Sequence, residues 1–600
     1  MCGIIGYIGK KKAIPVIIDG LETLEYRGYD SSGIAYYNKK KELKIIKEQG
    51  KIAILKNILN LNEESNLGIG HTRWATHGQP SRINSHPHNV GNITLVHNGI
   101  IENYEELKKH PLVKNYKFIS KTDTEVACAI INSLYNENQD ILKSLEESQK
   151  LLMGSYALAI IVNNDFEHLY VMKKDSPLII GVGNKENYVA SDVPAILKYT
   201  KKYILLNEGD IGIVSNKNIK VYNQKKLVKK KILEFEWDLE AGMKNGYEHF
   251  MLKEIFEQPK VIEQTIKEYI NDYDFINLPD LTKYNRIDIV ACGSAYHTGL
   301  IAKYWFEEYC NMEINVDIAS EYRYKKNFLD KKCLLIVISQ SGETADTLAS
   351  LRLVKEKKID TLAIVNVVGS SIAREAKNVL YIKAGPEIAV ATTKAYSAQA
   401  LLLSILAFKT SVDKKIINIK EKEQIINDYH NLSLYIQDIL SNTKICESIA
   451  KKIFKANDIF FLGRKIDYAI VMEGSLKLKE ISYIHSEAYP SGELKHGSIA
   501  LINKKTPVIS VITDENIALK TISNIKETKA RGAYSIVLSS LNMDNNKECY
   551  DDLIKIEHIH SLVEPILPII YLQLISYYIA KLNKRDIDKP KNLAKSVTVE

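Results

Sequence analysis

The feature that most constrains the fold is a strand, turn and helix pattern that occurs twice in the second half of the chain. Residues 286–309, RIDIVACGSAYHTGLIAKYWFEEY, predict a buried strand, a glycine-containing turn and a helix, and residues 458–481, DIFFLGRKIDYAIVMEGSLKLKEI, predict the same order. A further apolar strand follows each unit at nearly equal spacing and ends at Ser339 or Thr513. Continuous apolar strands alternating with helices are typical of parallel sheets. The sequence therefore predicts an internally duplicated α/β domain.

The first 235 residues follow a different pattern. Short apolar or alternating segments such as GIIGYIG, ITLVHNGII and YALAIIV predict strands, whereas helices are predicted mainly at residues 13–26 and 123–137. This pattern favours an antiparallel-rich α+β layer structure. Around residues 236–260, two glycines and a proline bracket a helical piece, which suggests a linker. We expect a first domain at 1–238, a linker at 239–260, two α/β domains at 261–425 and 426–588, and a terminal loop at 589–600.

Composition argues against several functional classes. The net charge of +8 is small for 600 residues, and the densest basic stretch, residues 223–235, is most simply a solvated strand or hairpin rather than a nucleic-acid surface. The seven cysteines include no CxxC pair, which predicts reduced thiols in a cytoplasmic protein. No secretory signal is visible, and the apolar runs at 398–408 and 565–580 are interpreted as buried helices rather than membrane spans.

A polar turn after the second strand of the first repeat predicts a phosphate site. The segment SQSGETADT combines hydroxyl and amide donors with the start of a helix, whose unpaired N–H groups favour an anion. Ser294 stands at a second helix start, which the topology places at the same sheet edge. The candidate phosphate ligands are Ser294, Ser339, Gln340, Ser341 and Thr344.

The chain opens with MCGIIGYIG, which raises the possibility of an N-terminal nucleophile. If Met1 is retained, Cys2 is a small residue near the terminus. If Met1 is removed, Cys2 carries both a thiol and a free α-amine, and an amine with a pKa near 8 is a suitable base for a thiol.

Several long motifs resemble one enzyme family. CGSAYH, SQSGETADT, VATTKAY, EGSLKLKEISYIHSEAYPSGELKHG and NLAKSVTVE are similar to the glucosamine-6-phosphate synthase family, and the likeness covers essentially the whole chain. The resemblance implies an α+β N-terminal-nucleophile glutaminase domain of sandwiched antiparallel sheets, followed by two α/β sugar isomerase (SIS) domains. It implies glutamine-dependent synthesis of glucosamine 6-phosphate from fructose 6-phosphate, without a cofactor or metal. It also implies a cytoplasmic homodimer of the bacterial type that binds neither nucleic acid nor membrane.

The resemblance also assigns roles in the sugar site. Glu480 is implied as the carrier of a proton between C1 and C2, Lys477 as a neighbour that handles protons near C2, His496 as the ring-opening acid and base, and Lys595 as the amine that forms a Schiff base. Lys477 and Glu480 are three residues apart, so they share one helix face. Val390 and Thr392, in VATTKAY, are implied to contact the sugar phosphate, and the terminal loop is a candidate lid. The family usually has serine where Thr392 stands, and the chain also departs from it at Ser498, Lys584, Arg585 and Lys591.

In the first domain, the resemblance makes Cys2 the nucleophile that attacks the glutamine amide. The side chain of Asn98 and the N–H of Gly99 are implied as oxyanion donors, and Arg73 and Asp123 as partners of the α-carboxylate and α-ammonium groups of glutamine. Trp74 is implied as a gate on an ammonia passage, with Thr76 and His77 beside the glutamine.

Alternative interpretations fit less well. Zinc binding by His71, His77, His86, His88 and His97 lacks carboxylate or cysteine partners at ligand spacing, the proline in HPH is expected to turn its two rings apart, and hydrogen bonding within the loop is favoured. Asparagine synthetase would require an SGGxDS-type loop, and the amidotransferase of purine synthesis an acidic phosphoribosyl loop; neither is found. A non-catalytic sugar-phosphate sensor would have no reason to retain Cys2, Glu480, His496 and Lys595 together.

Overall fold

The chain divides into two compact units, residues 1–243 with 596–600 and residues 244–595. A computed structural model describes residues 2–74, 77–235 and 244–598.

The first unit contains fifteen strands and five helices among its described residues. Its strands are β1 Gly3–Ile8, β2 Ser31–Tyr37, β3 Leu43–Gln49, β4 Leu67–Arg73, β5 His88–Val90, β6 Ile93–Ile101, β7 Gly154–Val162, β8 Leu169–Lys174, β9 Ile179–Val182, β10 Asn187–Ala190, β11 Lys202–Leu205, β12 Ile211–Val214, β13 Ile219–Asn223, β14 Lys226–Val228 and β15 Ile232–Glu234. Its helices are α1 Ala13–Leu24, α2 Ile52–Ile58, α3 Tyr104–Leu107, α4 Asp123–Asn138 and α5 Ile141–Leu151.

These strands form two antiparallel sheets that pack face to face. The order is β15-β11-β9-β10-β1-β4-β2-β3 in one sheet and β14-β13-β12-β8-β7-β6-β5 in the other. Alternate residues of β1 divide between two cores: Ile4 and Ile8 pack between the sheets, whereas Ile5 and Tyr7 pack against α1. Helices α4 and α5 cover the outer face of the second sheet. The predicted sandwich of antiparallel sheets is confirmed.

The second unit contains the duplicated α/β structure. Its helices are α6 Phe250–Phe256, α7 Gln258–Tyr269, α8 Gly293–Cys310, α9 Ala319–Tyr322, α10 Ala345–Glu356, α11 Ser371–Glu375, α12 Lys394–Asp413, α13 Ile419–Ser441, α14 Lys444–Ile453, α15 Ile466–Ser482, α16 Ala518–Lys529 and α17 Ile566–Leu582. Its strands are β16 Ile270–Asn271, β17 Asp274–Phe275, β18 Arg286–Ala291, β19 Glu313–Ile318, β20 Cys333–Ser339, β21 Asp360–Val365, β22 Asn378–Tyr381, β23 Asp458–Gly463, β24 His485–Pro490, β25 Pro507–Ile512, β26 Tyr534–Ser539 and β27 Asp552–Lys555.

The two halves of this unit have the same topology. The sheet orders are β19-β18-β20-β21-β22 and β24-β23-β25-β26-β27, and every pairing within both sheets is parallel. Helix α8 follows the first strand of one repeat and α15 follows the first strand of the other, and these two helices pack against each other. The predicted duplication is therefore confirmed, and it brings the start of α8 beside the middle of α15.

One segment differs in detail from the sequence interpretation. The predicted linker at 239–260 includes α6, whose Met251 and Ile255 are fully buried in the core of the second unit; residues 239–243 lie outside the described residues. The basic stretch 223–235 agrees with the predicted solvated strand or hairpin: it is exposed or half-buried throughout, β14 forms a hairpin with β13, and β15 joins the other sheet.

The long apolar helix α12 is a core helix of the second unit. Among the described residues it alone is long and apolar enough to cross a bilayer, and almost all of it is buried inside the protein.

Candidate active sites

Cys2 lies immediately before β1 and beside the end of β4, the strand that pairs with β1. The N–H of Trp74, which follows β4, donates to Cys2 Sγ at 3.3 Å, and Sγ lies 3.5 Å from the Trp74 carbonyl oxygen. Burial raises the pKa of the Cys2 thiol, and the Trp74 amide and the charge of Arg73 offset only part of that effect. The thiol is therefore protonated at neutral pH, and a base must remove its proton before it can attack an amide.

Asn98 and Gly99, both in β6, lie next to Cys2. Asn98 Nδ2 donates to the Cys2 carbonyl oxygen at 3.0 Å, while Asn98 Oδ1 is buried without a hydrogen bond among the described residues. Gly99 has φ of 128°, and a Cβ at this position would lie 2.0 Å from the carbonyl oxygen of Ser155. Only glycine fits there, because both the left-handed conformation and the neighbouring backbone exclude a side chain.

One guanidinium nitrogen of Arg73 has no hydrogen-bond partner among the described residues. Nη2 donates to the carbonyl oxygens of His77 and Gly78, the latter at 3.1 Å. Nη1 is buried and has no hydrogen bond in the described part of the chain, and the same holds for His77 Nδ1. Burial lowers the pKa of Arg73, and the charge of Asp123 acts in the opposite direction. A carboxylate is the natural ligand for a buried guanidinium edge.

Asp123 begins α4, where Thr122 is the N-cap. Its Oδ2 accepts the Ile101 N–H at 2.8 Å and its Oδ1 accepts the Thr124 N–H at 3.0 Å, so backbone amides hold the carboxylate in place. Trp74 is half-buried, and its indole lies edge-on to the ring of Tyr29. Thr76, the remaining predicted glutamine ligand, lies outside the described residues.

The histidines near this site form a buried, neutral cluster. Its hydrogen bonds join His71 Nε2 to the His97 carbonyl oxygen (2.9 Å), the His97 N–H to His86 Nδ1 (3.3 Å), and His88 Nε2 to Thr122 Oγ1 (3.1 Å). Burial lowers the pKa of His71 to about 3 and those of His86 and His88 well below their usual range. The described residues contain no group of metal-ligating side chains. The rings of His86 and His88 are adjacent, with centroids 5.0 Å apart, so the expectation that Pro87 turns them apart is wrong.

The predicted phosphate turn closes tightly at the end of β20. Ser339 Oγ accepts the Gly342 N–H at 3.1 Å and lies 2.9 Å from Thr344 Oγ1, and Ser341 Oγ accepts the Glu343 N–H. Gly342 has φ of 65°, and a Cβ there would lie 1.9 Å from Ser370 Oγ. Gln340 is half-buried in the same turn. Hydroxyl groups and a helix start thus meet at one edge of the sheet, which suits an anion.

The start of α8 is tied to the middle of α15 by a buried carboxylate that the sequence analysis did not single out. Glu473 accepts a hydrogen bond from Ser294 Oγ at 2.8 Å, and its other oxygen lies 2.7 Å from His297 Nδ1. Lys477 Nζ donates to the same Ser294 hydroxyl at 3.1 Å. The predicted phosphate ligand Ser294 therefore contacts the predicted catalytic helix directly.

Lys477 and Glu480 form a buried ion pair on one face of α15, as their spacing predicts. The Lys477 Nζ to Glu480 Oε2 distance is 2.6 Å. Burial alone would lower the pKa of Lys477, but the charges of Glu473 and Glu480 raise it to about 12. Burial raises the pKa of Glu480, and the positive charges of Lys477 and Lys595 oppose that shift. A carboxylate with a raised pKa can accept a proton and return it.

Lys595 reaches this region from the terminal segment, which we define as residues 583–598, after the end of α17. Its Nζ binds Glu387 and lies 3.1 Å from Thr392 Oγ1. Burial disfavours the charged form of Glu387, but Lys595 and two backbone amides outweigh burial and hold its pKa below the usual range. The Val390 N–H donates to the Asp588 carbonyl oxygen at 3.0 Å, so the loop that carries Val390 and Thr392 is bonded to the terminal segment.

The departures in the terminal segment have a structural role of their own. Lys591 and Arg585 both lie over the ring of Tyr483, which ends α15, and the Lys591 N–H donates to its hydroxyl group at 2.7 Å. Lysine and arginine here therefore fasten the terminal segment to the helix that carries Glu480.

His496 is not part of this cluster. It is exposed at the end of the turn Leu494–His496, and its imidazole makes no hydrogen bond or ion pair with Lys477, Glu480 or Lys595 in the described part of the chain. The residues that sequence reasoning missed are the buried carboxylates Glu254, Glu387 and Glu473. The only signal available for Glu473 was its position one turn before Lys477.

Comparisons with known proteins agree with this architecture. A glutamine amidotransferase domain family matches residues 71–198, and the SIS domain family matches residues 280–409 and 452–580. The fold and these matches define a class, a glutamine amidotransferase joined to a pair of sugar isomerase domains.

Relatives identify the family more closely. Glutamine–fructose-6-phosphate aminotransferases (isomerizing) of Clostridium perfringens, Methanosarcina mazei and Thermus thermophilus are 47%, 43% and 41% identical to this chain, each over the whole of both chains. The C-terminal domain of glucosamine–fructose-6-phosphate aminotransferase from Francisella tularensis is 38% identical, with a TM-score of 0.54, and covers 58% of this chain and 99% of that one. The chain belongs to the glutamine–fructose-6-phosphate aminotransferase (isomerizing) family.

Proposed function

We propose that this protein makes glucosamine 6-phosphate and glutamate from fructose 6-phosphate and glutamine. The first unit hydrolyses the glutamine amide, the ammonia passes to the second unit, and the second unit converts the 2-ketose to the 2-amino aldose. Full-length relatives with this activity in their names support the proposal.

In the second unit, the turn at Ser339, Ser341 and Thr344 holds the phosphate, with Ser294, Gln340, Val390 and Thr392 around the sugar. Lys595 attacks C2 of the open-chain ketose through its amine and forms an imine with loss of water. Ammonia then replaces Lys595 at C2, and Glu480 takes a proton from C1 and returns it at C2. Lys477 stabilises the charge of Glu480, and His496 protonates the ring oxygen during ring opening.

One observation carries this part of the proposal. Glu473, Lys477 and Glu480 lie buried on one face of α15 with Ser294 against them, and Lys595 is close enough to influence the pKa of Glu480. Buried charges are costly unless they are paired or used. This concentration of buried, titratable groups beside a phosphate turn supports proton transfer on a sugar phosphate.

In the first unit, removal of Met1 gives Cys2 a free α-amine that takes the thiol proton through a water molecule. The thiolate attacks the glutamine side-chain carbonyl, and Asn98 and Gly99 stabilise the oxyanion. The unpartnered Arg73 Nη1 binds the α-carboxylate of glutamine, Asp123 binds its ammonium group, and Thr76 and His77 complete the site. Trp74, beside the thiol, guards the exit of ammonia.

We also propose how the chain is divided into domains, how it assembles and where in the cell it acts. The domains are residues 1–238, 261–425 and 426–588, with the terminal loop 589–600 closing over the sugar. The protein is a cytoplasmic homodimer through its SIS domains and acts without a cofactor, nucleic acid or membrane. The spread of lysine along the chain and the burial of α12 support the last two points.

The test is the substitution Cys2→Ala. Glutamine hydrolysis and glutamine-dependent synthesis should fall below detection, because the proposed mechanism requires the Cys2 thiol as the attacking group, whereas slow synthesis from ammonium salts should persist. Glutamate release and glucosamine 6-phosphate are measured separately, with Cys128→Ala, a buried thiol elsewhere in the same unit, as the control. A Cys2→Ala protein that still hydrolyses glutamine would disprove the assigned nucleophile.

A further inference from the structure

Glu254 is a buried carboxylate with one oxygen that no described residue uses. It lies on α6 and is 2% exposed. Its Oε1 accepts the N–H groups of Ile388 and of Ala389, the latter at 3.2 Å. Its Oε2 has no hydrogen bond in the described part of the chain. Because an orphaned buried carboxylate oxygen costs free energy, its retention calls for a functional explanation.

The same loop is held by a second carboxylate. Glu387 Oε1 accepts the N–H groups of Thr393 at 3.0 Å and of Ala395 at 3.1 Å, and its Oε2 binds Lys595 Nζ. Two carboxylates thus hold the loop that carries Val390 and Thr392, and one of them also holds the amine of Lys595. Ile388 and Ala389 directly follow Glu387, and Glu254 holds the backbone of both. Glu254 therefore helps to set the orientation of Glu387 toward Lys595.

The charged groups that face Glu254 come from three elements: Glu387 from the loop, Lys394 from the start of α12, and Lys595 from the terminal segment. From α17, which packs on α6, Tyr577 bonds to His249 before the helix start. Burial and the charge of Glu387 raise the pKa of Glu254 to about 8, although the two lysines oppose this shift. Glu254 is therefore mainly a neutral acid at pH 7 and becomes a carboxylate as the pH rises through about 8.

We propose that Glu254 is a positioning residue for Lys595, which fixes the Glu387 loop against the amine and, in its neutral form, keeps the amine ready to lose its proton. This inference rests on the proposed Schiff-base role of Lys595. In the step it serves, the Lys595 ammonium gives one proton to Glu387 Oε2 and the resulting amine nitrogen bonds to C2. Its two remaining protons pass to the C2 oxygen, the C2–O bond breaks, and that oxygen departs as water, which leaves a neutral imine.

Ionisation of Glu254 should oppose that step. A second negative charge beside the Lys595–Glu387 pair favours the ammonium over the free amine. The rate of imine formation in the unaltered protein should therefore rise with pH, because the free amine becomes more abundant. Above about pH 8 the rate should lie about tenfold below the value expected from that rise alone. Glutamine at position 254 keeps the oxygen that accepts both amides but cannot ionise.

The experiment traps the adduct of fructose 6-phosphate on Lys595 with cyanoborohydride in the full-length protein and measures its rate by mass spectrometry from about pH 6.5 to about pH 9.5. Glu254→Gln should match the unaltered protein at pH 7 and exceed it above pH 8, with no inflection there. Glu254→Ala, which loses the acceptor oxygen, should trap about tenfold more slowly across the whole range.

Two controls make the outcome decisive. Glu263→Gln removes an exposed carboxylate from α7, where Glu263 pairs with Lys267, and should leave the pH profile unchanged. The thermal transition of the second unit, followed by calorimetry, should remain cooperative in all three variants and reports that the unit holding Glu254 is folded.

A Glu254→Gln protein that keeps the inflection near pH 8, or that traps as slowly as Glu254→Ala at pH 7, would overturn the inference. Absence of any adduct on Lys595 in the unaltered protein would overturn the Schiff-base role itself and this inference with it. An adduct with an unchanged profile would overturn the inference alone.

Discussion

A single glycine shows how closely the glutaminase site depends on its backbone. Gly99 sits within β6, beside the Asn98 amide that contacts Cys2. Sequence alone suggested Gly99 through resemblance, and the structure supplies the physical reason, which is the approach of the Ser155 carbonyl oxygen. By contrast, no local pattern marks Glu254 or Glu387: Glu254 follows Lys253, and a carboxylate next to a lysine in sequence is usually a solvated surface pair, while Glu387 has no charged neighbour within three residues.

Substitution of Gly99 by alanine should therefore impair glutamine hydrolysis. The new Cβ would clash with the Ser155 backbone, which cannot move aside, so the backbone at residue 99 would shift. If the residue 99 N–H no longer reaches the oxyanion, kcat for glutamine hydrolysis should fall by about 10² to 10³. The matched control is Gly209→Ala, in the same unit with φ of 77°, where the nearest atom to a new Cβ is 3.5 Å away. Glutamate release is the assay, and synthesis from ammonium should be unaffected by either change. Equal losses from the two variants would mean that conformational strain, not the Ser155 contact, matters.

Elements were predicted more reliably than their contacts. The strands and helices of the two repeats follow from apolar periodicity and glycine turns, which are local signals. A helical piece within 236–260 was predicted, but the burial of α6 in the core was not, because residues 236–260 carry the glycine and proline content of a connection. His496 illustrates the same limit: resemblance gave it a role, while the structure of one chain leaves it in an exposed turn away from Lys595.

The histidine cluster around β4, β5 and β6 predicts a pH-dependent loss of stability in the first unit. His71, His86 and His88 are neutral in the folded state because burial depresses their pKa values, whereas in the unfolded chain they titrate near 6.5. Below about pH 6.5 the unfolded state binds more protons, so stability decreases by about 1.4 kcal/mol per pH unit for each histidine.

The slope can be measured on the full-length protein by pulse proteolysis at increasing urea concentration, between about pH 7 and about pH 5.5. Loss of protection is followed on the peptides that come from residues 67–101. His71→Gln keeps a donor for the His97 carbonyl oxygen and should reduce the slope by one histidine's share. The exposed His485, with a 60% exposed side chain, provides the control, since His485→Gln should leave the slope unchanged. A slope equal in all three proteins would contradict the assignment.

At the scale of the whole molecule, each compact unit has cores of its own and a separate proposed ligand. We expect two thermal transitions in calorimetry. Fructose 6-phosphate at about 100 times its Kd should stabilise the second unit by about 2.7 kcal/mol and leave the other transition in place, because a ligand stabilises only the unit that binds it. A thiol-directed glutamine analogue should shift only the transition of the first unit. If either ligand moved both transitions equally, the units would not unfold independently.

The packing of α8 against α15 has a consequence for how the duplicated half can evolve. After a duplication, one copy is ordinarily free to drift while its twin keeps the original task. Here the proposed phosphate turn belongs to one copy and the proposed proton carrier to the other, so on this proposal neither copy is redundant. A harmful substitution in one copy should be compensated most readily by a substitution in the other.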